Sequence, residues 1–124
     1  MSLFNREDFD ALIGGLPAAE LVYQWGDASV GKVGGKIFAI FSPGADNGMG
    51  GISFKCSETS FQMLPELEGV VPAPYLARAK WVRVAPGSAL GNEDIVAYVT
   101  EAHRIIAAKL PRRVRDGLNL GETG

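Results

Sequence analysis

Lys32, Lys36, Lys55, Arg78, Lys80, Trp81 and Arg83 are the residues whose types and spacing carry the most chemistry in this chain. From Ile52 to Cys56 the residues alternate: Ile52, Phe54 and Cys56 fall on one side of a strand, Ser53 and Lys55 on the other, because successive strand side chains point to opposite faces. From Lys80 to Val84 the same rule sets Lys80, Val82 and Val84 against Trp81 and Arg83. With the apolar sides turned inward, Lys55, Trp81 and Arg83 share the outer face of a sheet. Lys32, with Phe38 or Lys36, joins them from a neighbouring hairpin, and Arg78 and Lys80 extend the patch. Cations hold phosphates and an indole packs on sugar or base, so this is the chemistry of a nucleic-acid surface. Two other readings of the same residues stay open. One is a solvated face whose lysines lay their stems over apolar neighbours. The other is a homodimer interface, since apolar groups on an outer face call for cover.

Other candidates fare worse. Gly31 to Lys36, GKVGGK, has a superficial likeness to a phosphate loop. That motif needs a glycine where Val30 stands, Ser or Thr where Ile37 stands, and a helix after it rather than a strand. His103 is the one histidine and lies beside Val99 and Ile106 on a helix, the place of a packed, hydrogen-bonded residue. One histidine and one cysteine are poor equipment for zinc, and Cys56, on the apolar side of its strand, reads as a small hydrophobe. Glu7, Asp8, Asp10, Glu20 and Asp27 resemble the acidic ridge of frataxin-like proteins; helix capping and a solvated face account for Glu7 and Asp8 without a metal. No catalytic set, metal or cofactor is expected, and the chain reads as non-enzymatic.

The elements that must position these residues can be read in order. Asn5 is an N-cap, flanked by Phe4 and Phe9 at staple spacing, and Phe9, Leu12, Ile13 and Leu16 form one helix face ended by Gly14, Gly15 and Pro17. Glu20 to Trp25 is a strand. Ser29 to Phe41 is a hairpin turning at Gly34-Gly35, where both positions favour φ > 0. Ser42 to Gly51 is a loop, and Ile52 to Cys56 a further strand. Ser57 caps a short helix carrying Phe61 and Leu64 and stopped by Pro65. Glu66 to Ala79 is an extended connector anchored by Tyr75 and Leu76, and Lys80 to Val84 a fifth strand. Asn92 caps a last helix with a stripe of Ile95, Tyr98, Val99, Ala102, Ile106 and Leu110, ended by Pro111. The order predicts an α+β, two-layer sandwich: an antiparallel sheet of about five strands with helices packed on one face.

The 124 residues suit a single domain, expected over 1–113 with a flexible tail at 114–124. A lone cysteine allows no internal disulfide and fits a reducing compartment. The start MSLFNREDF lacks the pattern of a signal peptide, and no apolar run approaches the ~18 residues of a membrane span; a cytoplasmic protein is expected. A net charge of −2 and pI near 5.3 argue against a strong, non-specific polyanion binder. The charge is uneven, however. Acids dominate residues 1–27 and bases residues 78–115, which points to an anionic partner for the second half.

VGGKIFAIF (33–41), GISFKCSE (51–58), VPAPYLARAKWVRV (71–84) and AHRIIAAKLPRR (102–113) together resemble the MmcQ/YjbR family of small bacterial proteins, over nearly the whole chain from about Leu16 to Arg113. The resemblance implies a two-layer α/β sandwich, related in shape to type III secretion chaperones. It also implies DNA binding through a "double wing" in which the strands face the duplex, with a chaperone-like, dimeric interaction module as the alternative.

Overall fold

Residues 3–24, 26–43, 51–74 and 76–120 are described by the structure, a computed structural model. Trp25, Tyr75 and most of the Ser42–Gly51 loop lie outside the described residues. The Asn5 side chain accepts from Glu7 N at 2.8 Å and opens α1 (Arg6–Gly14), which Gly15 closes. Six strands follow the expected antiparallel plan: β1 (Ala19–Gln24), β2 (Ala28–Val33), β3 (Lys36–Ser42), β4 (Gly51–Lys55), β5 (Val70–Pro72) and β6 (Trp81–Val84), in the spatial order β1-β2-β3-β4-β6-β5. The strand beyond the five expected is β5, inside the segment read as a connector. It lies at the sheet edge, where Pro72 costs no ladder hydrogen bond.

Ser57 caps α2 (Glu58–Met63), accepting from Ser60 N at 3.1 Å. The long helix α3 (Asn92–Ala108) lies over β2, β3 and β4, and α1 lies over β1 and β2. Register shows that both cover the same face. Phe41 stands opposite Ile52 and stacks on Phe9 of α1 at 5.6 Å; Phe54, two residues along from Ile52, stacks on Tyr98 of α3 at 5.7 Å. Between these layers Ile13, Ile52, Phe54, Val82, Val84, Ile95 and Val99 are fully buried.

Four local departures from the sequence reading have identifiable causes. Gly31 pairs with Ala39 but Lys32 with Ile37, so Phe38 is the extra residue of a bulge. The bulge breaks the two-residue alternation and turns Phe38 inward, fully buried and edge-on to His103 at 5.2 Å. Gly31 makes the room: a Cβ there would stand 2.9 Å from Ile13 Cδ1 and 3.1 Å from Phe38 Cζ. Phe38 is therefore core, not outer face. Second, the α3 cap is Gly91, whose N–H donates to Asp94 Oδ2, while Asn92 accepts from Leu3 N at 3.2 Å. Third, Lys80 stands outside its expected strand, in the left-handed region at φ 64°. Fourth, residues 112–120 are folded: α4 (Arg112–Gly117) brings Val114 and Leu118 against the core and Leu120 into it.

Candidate anion-binding rim

Alternation places part of the expected surface. Lys55 pairs with Trp81 and Ser53 with Arg83, on the side of the sheet opposite Phe54 and Val82. Lys32 shares that outer face, opposite Glu20 and Ile37, but β3 and β4 separate it from β6. The face is not an open aromatic platform. Trp81 is only 5% exposed and Lys55 only 8%. Residues 73–74 and 76–80 lie back along the start of β6: Ala73 N donates to Trp81 O at 3.0 Å and Trp81 N to Leu76 O at 3.3 Å. Lys55 Nζ donates to Ala79 O in the same segment. A buried indole cannot stack on a base, so Trp81 belongs to the packing rather than to a ligand surface. Arg83 is half-buried over Gly51, its Nε 3.1 Å from where a Cβ at that glycine would stand.

The remaining cations gather elsewhere, at one end of the sheet. There β3 begins with Lys36, β4 ends with Lys55, Lys80 leads into β6, and α3 closes on Lys109. Lys36 is exposed and, with Ile37, Ile106, Lys109, Leu110 and Pro111, lines a cleft of about 240 Å³. Lys80 holds its ammonium 5.1 Å from the centre of the Phe61 ring, a cation–π contact. Arg78 is exposed in a 3₁₀ turn, Ala77–Ala79, and Arg112 and Arg113 are exposed just after Lys109. Burial pushes the Lys55 amine below its ordinary pKa, and the positive charges of Lys109 and Lys80 push the same way. Lys55 therefore stands within electrostatic reach of both Lys109 and Lys80. Arg104 pairs with Glu101 at 2.5 Å and Arg112 with Asp116 at 3.9 Å; Lys36, Arg78, Lys80 and Lys109 take part in neither. In the sequence Lys109 is only one of the bases of residues 78–115, and its nearness to Lys36 is a product of the fold.

The other sequence candidates are structural. His103 is 7% exposed, with Nε2 2.7 Å from Pro17 O. Cys56 is 1% exposed, and burial pushes its thiol up to about 11, against the pull of Lys55; a thiol so held is no nucleophile at neutral pH. In the acidic first half, Arg6 donates to Ser29 Oγ at 2.7 Å and to Asp27 O, and Tyr23 donates to Asp10 Oδ2 at 2.7 Å. No group of three or more His, Cys, Asp or Glu side chains is arranged to hold a metal among the described residues. No helix among them is long and apolar enough to cross a membrane.

A family model described as YjbR matches residues 14–105. No curated protein matches the chain. Among solved structures, the Deinococcus radiodurans protein DR2400, of the family-model domain DUF419, superposes with a TM-score of 0.78 at 18% identity, covering 93% of this chain and 88% of its own. A Pseudomonas syringae protein superposes with a TM-score of 0.68 at 18% identity, covering 82% of this chain and 97% of its own. At such identity these two likenesses speak for the fold alone.

Proposed function

The chain belongs to the YjbR family, and we propose that it is a non-enzymatic DNA-binding member that grips phosphates at the basic end of its sheet. One observation carries the reading: Lys36, Lys55, Lys80 and Lys109, from four different parts of the chain, converge at one end although the net charge is −2. Convergence of like charge costs folding energy and is offset when an anion binds. Exposed Lys36, Arg78, Lys109, Arg112 and Arg113, with half-buried Lys80, supply the contacts. Lys55 adds field rather than a free ammonium, since its Nζ is committed to Ala79 O. Lys32 lies on the outer face beside β3, whereas Arg83 reaches over Gly51, at the opposite end of β4 from the rim. Trp81 takes no part in stacking.

Fluorescence anisotropy of a labelled DNA duplex at several salt concentrations tests this. Affinity that falls log-linearly with salt, and is lost in Lys36→Glu/Lys109→Glu, supports the reading; unchanged anisotropy at low salt removes it.

A second reading has its own observation. Met63 at 59%, Leu67 at 37% and Val71 at 49% exposed lie close together in the chain, from the end of α2 to the edge strand β5. Exposed apolar groups at a sheet edge suit a protein partner or a second copy. Size-exclusion chromatography with light scattering would find a dimer that Val71→Glu dissociates; a monomer at all concentrations excludes self-association.

A further inference from the structure

The cleft at the basic end has features that phosphate contact alone does not require. Its walls are aliphatic: Ile37 from β3, and Ile106, Leu110 and Pro111 from the end of α3 and the turn after it. Ile37 and Ile106 are only half-buried, so apolar surface stays open to water between two exposed lysines, Lys36 and Lys109. At about 240 Å³ the cleft suits one ring system, below the ~300 Å³ at which drug-sized pockets begin. Leu110 holds it in shape: it is 5% exposed and seated on the β2–β3 turn, where a Cβ at Gly34 would stand 2.5 Å from Leu110 Cδ1.

Apolar walls between cations match one kind of polyanion better than another. A duplex keeps its base faces stacked against each other and offers a protein its phosphates and groove edges. A single strand exposes each base face to any apolar surface, with a phosphate on either side. We infer that this cleft, lined by Ile37, Ile106, Leu110 and Pro111, seats one unstacked base of a single-stranded nucleic acid, with Lys36 and Lys109 on the flanking phosphates. This rests on the nucleic-acid reading above and sharpens it: the preferred ligand is single-stranded. Arg112 and Arg113 continue the positive path beyond Lys109, and Lys55 stands within electrostatic reach of both Lys109 and Lys80.

The test is anisotropy at fixed low salt with a labelled oligothymidylate of about twelve nucleotides and the duplex of the same length. The single strand binds at least about tenfold more tightly than the duplex. Ile106→Ser weakens the single strand about tenfold and leaves the duplex unchanged, whereas Lys36→Ala/Lys109→Ala weakens both. Ile37→Ser, at a second lining residue, gives the same result and guards against a folding defect in Ile106→Ser. Equal affinity for the two ligands, or equal loss for both in the isoleucine variants, overturns the cleft while leaving phosphate binding intact. Failure of both ligands to bind overturns the nucleic-acid reading itself.

Discussion

Gly34→Ala is the substitution that most directly joins the fold to the rim. Gly34 sits at φ +58° in the tight turn between β2 and β3, and a Cβ there would meet Leu110 Cδ1 at 2.5 Å and Cδ2 at 2.9 Å. Two costs follow. Holding an alanine in the left-handed region costs about 1–2 kcal/mol, and displacing a packed leucine about 1–3 kcal/mol. The combined loss of about 2–5 kcal/mol is large beside the ~5–15 kcal/mol by which a domain is stable. In a 124-residue chain each kcal/mol moves Tm by about 4 °C, so Gly34→Ala lowers Tm by about 8–20 °C. Gly35→Ala is the control: φ is +80° but nothing lies within 4 Å of its Cβ position, so only the backbone cost remains, about 4–8 °C. Urea and thermal unfolding followed by circular dichroism measure both. Adding Leu110→Ala to Gly34→Ala relieves the clash, so the pair costs less than the two single changes taken together. If Gly34→Ala costs no more than Gly35→Ala, Leu110 does not press on the turn, and the hairpin and the end of α3 are not locked together as described.

Trp81→Ala costs about 3–5 kcal/mol, as loss of a buried indole does, while Trp81→Phe keeps fold and nucleic-acid affinity; normal stability with lost affinity in Trp81→Phe would return the indole to ligand contact. Cys56 resists thiol reagents near neutral pH until the chain unfolds, and prompt full reaction of the native protein contradicts its burial. Because its pKa rises from 9.0 to about 11 on folding, the native state binds the proton more tightly than the unfolded chain. The contribution is complete below pH 9.0 and is lost as pH climbs toward 11. Denaturation midpoints of wild type and Cys56→Ala therefore converge or cross over that window; a constant gap refutes it. His103→Leu leaves the Pro17 carbonyl without its partner and costs about 1–3 kcal/mol in the same unfolding assay; an unchanged midpoint would show that the contact contributes nothing.

The elements were legible wherever local chemistry sufficed. Asn5 and Ser57 cap their helices as read, Gly34-Gly35 turns the hairpin, and the α3 stripe of Ile95, Val99 and Ala102 is buried. Alternation also set Ile52, Phe54 and Cys56 against Lys55 correctly. What failed depended on neighbours distant in sequence. Phe38 turns inward because a bulge forms opposite Gly31, a fact of pairing rather than of composition. Alternation gave Trp81 its face but not its cover, which comes from residues 73–74 and 76–80 folding back on β6. Lys36 was read as a sheet-face cation, yet it lines a cleft with Lys109 because α3 ends over the hairpin turn. The packing of Val114, Leu118 and Leu120 had a faint signal in their apolar spacing after Pro111, outweighed by the surrounding charges.

The most direct test of the basic rim is the slope of log affinity against log salt for DNA, compared between wild type and Lys36→Ala/Lys109→Ala. Each phosphate contact contributes about 0.7–0.9 to that slope, so losing two flattens it by about 1.4–1.8. Arg104→Ala, which removes a cation paired with Glu101 and lining a different cleft beside Pro17 and Leu120, leaves the slope where it was. A slope unmoved by the lysine pair, or moved as much by Arg104→Ala, would mean that the converging lysines do not hold the ligand.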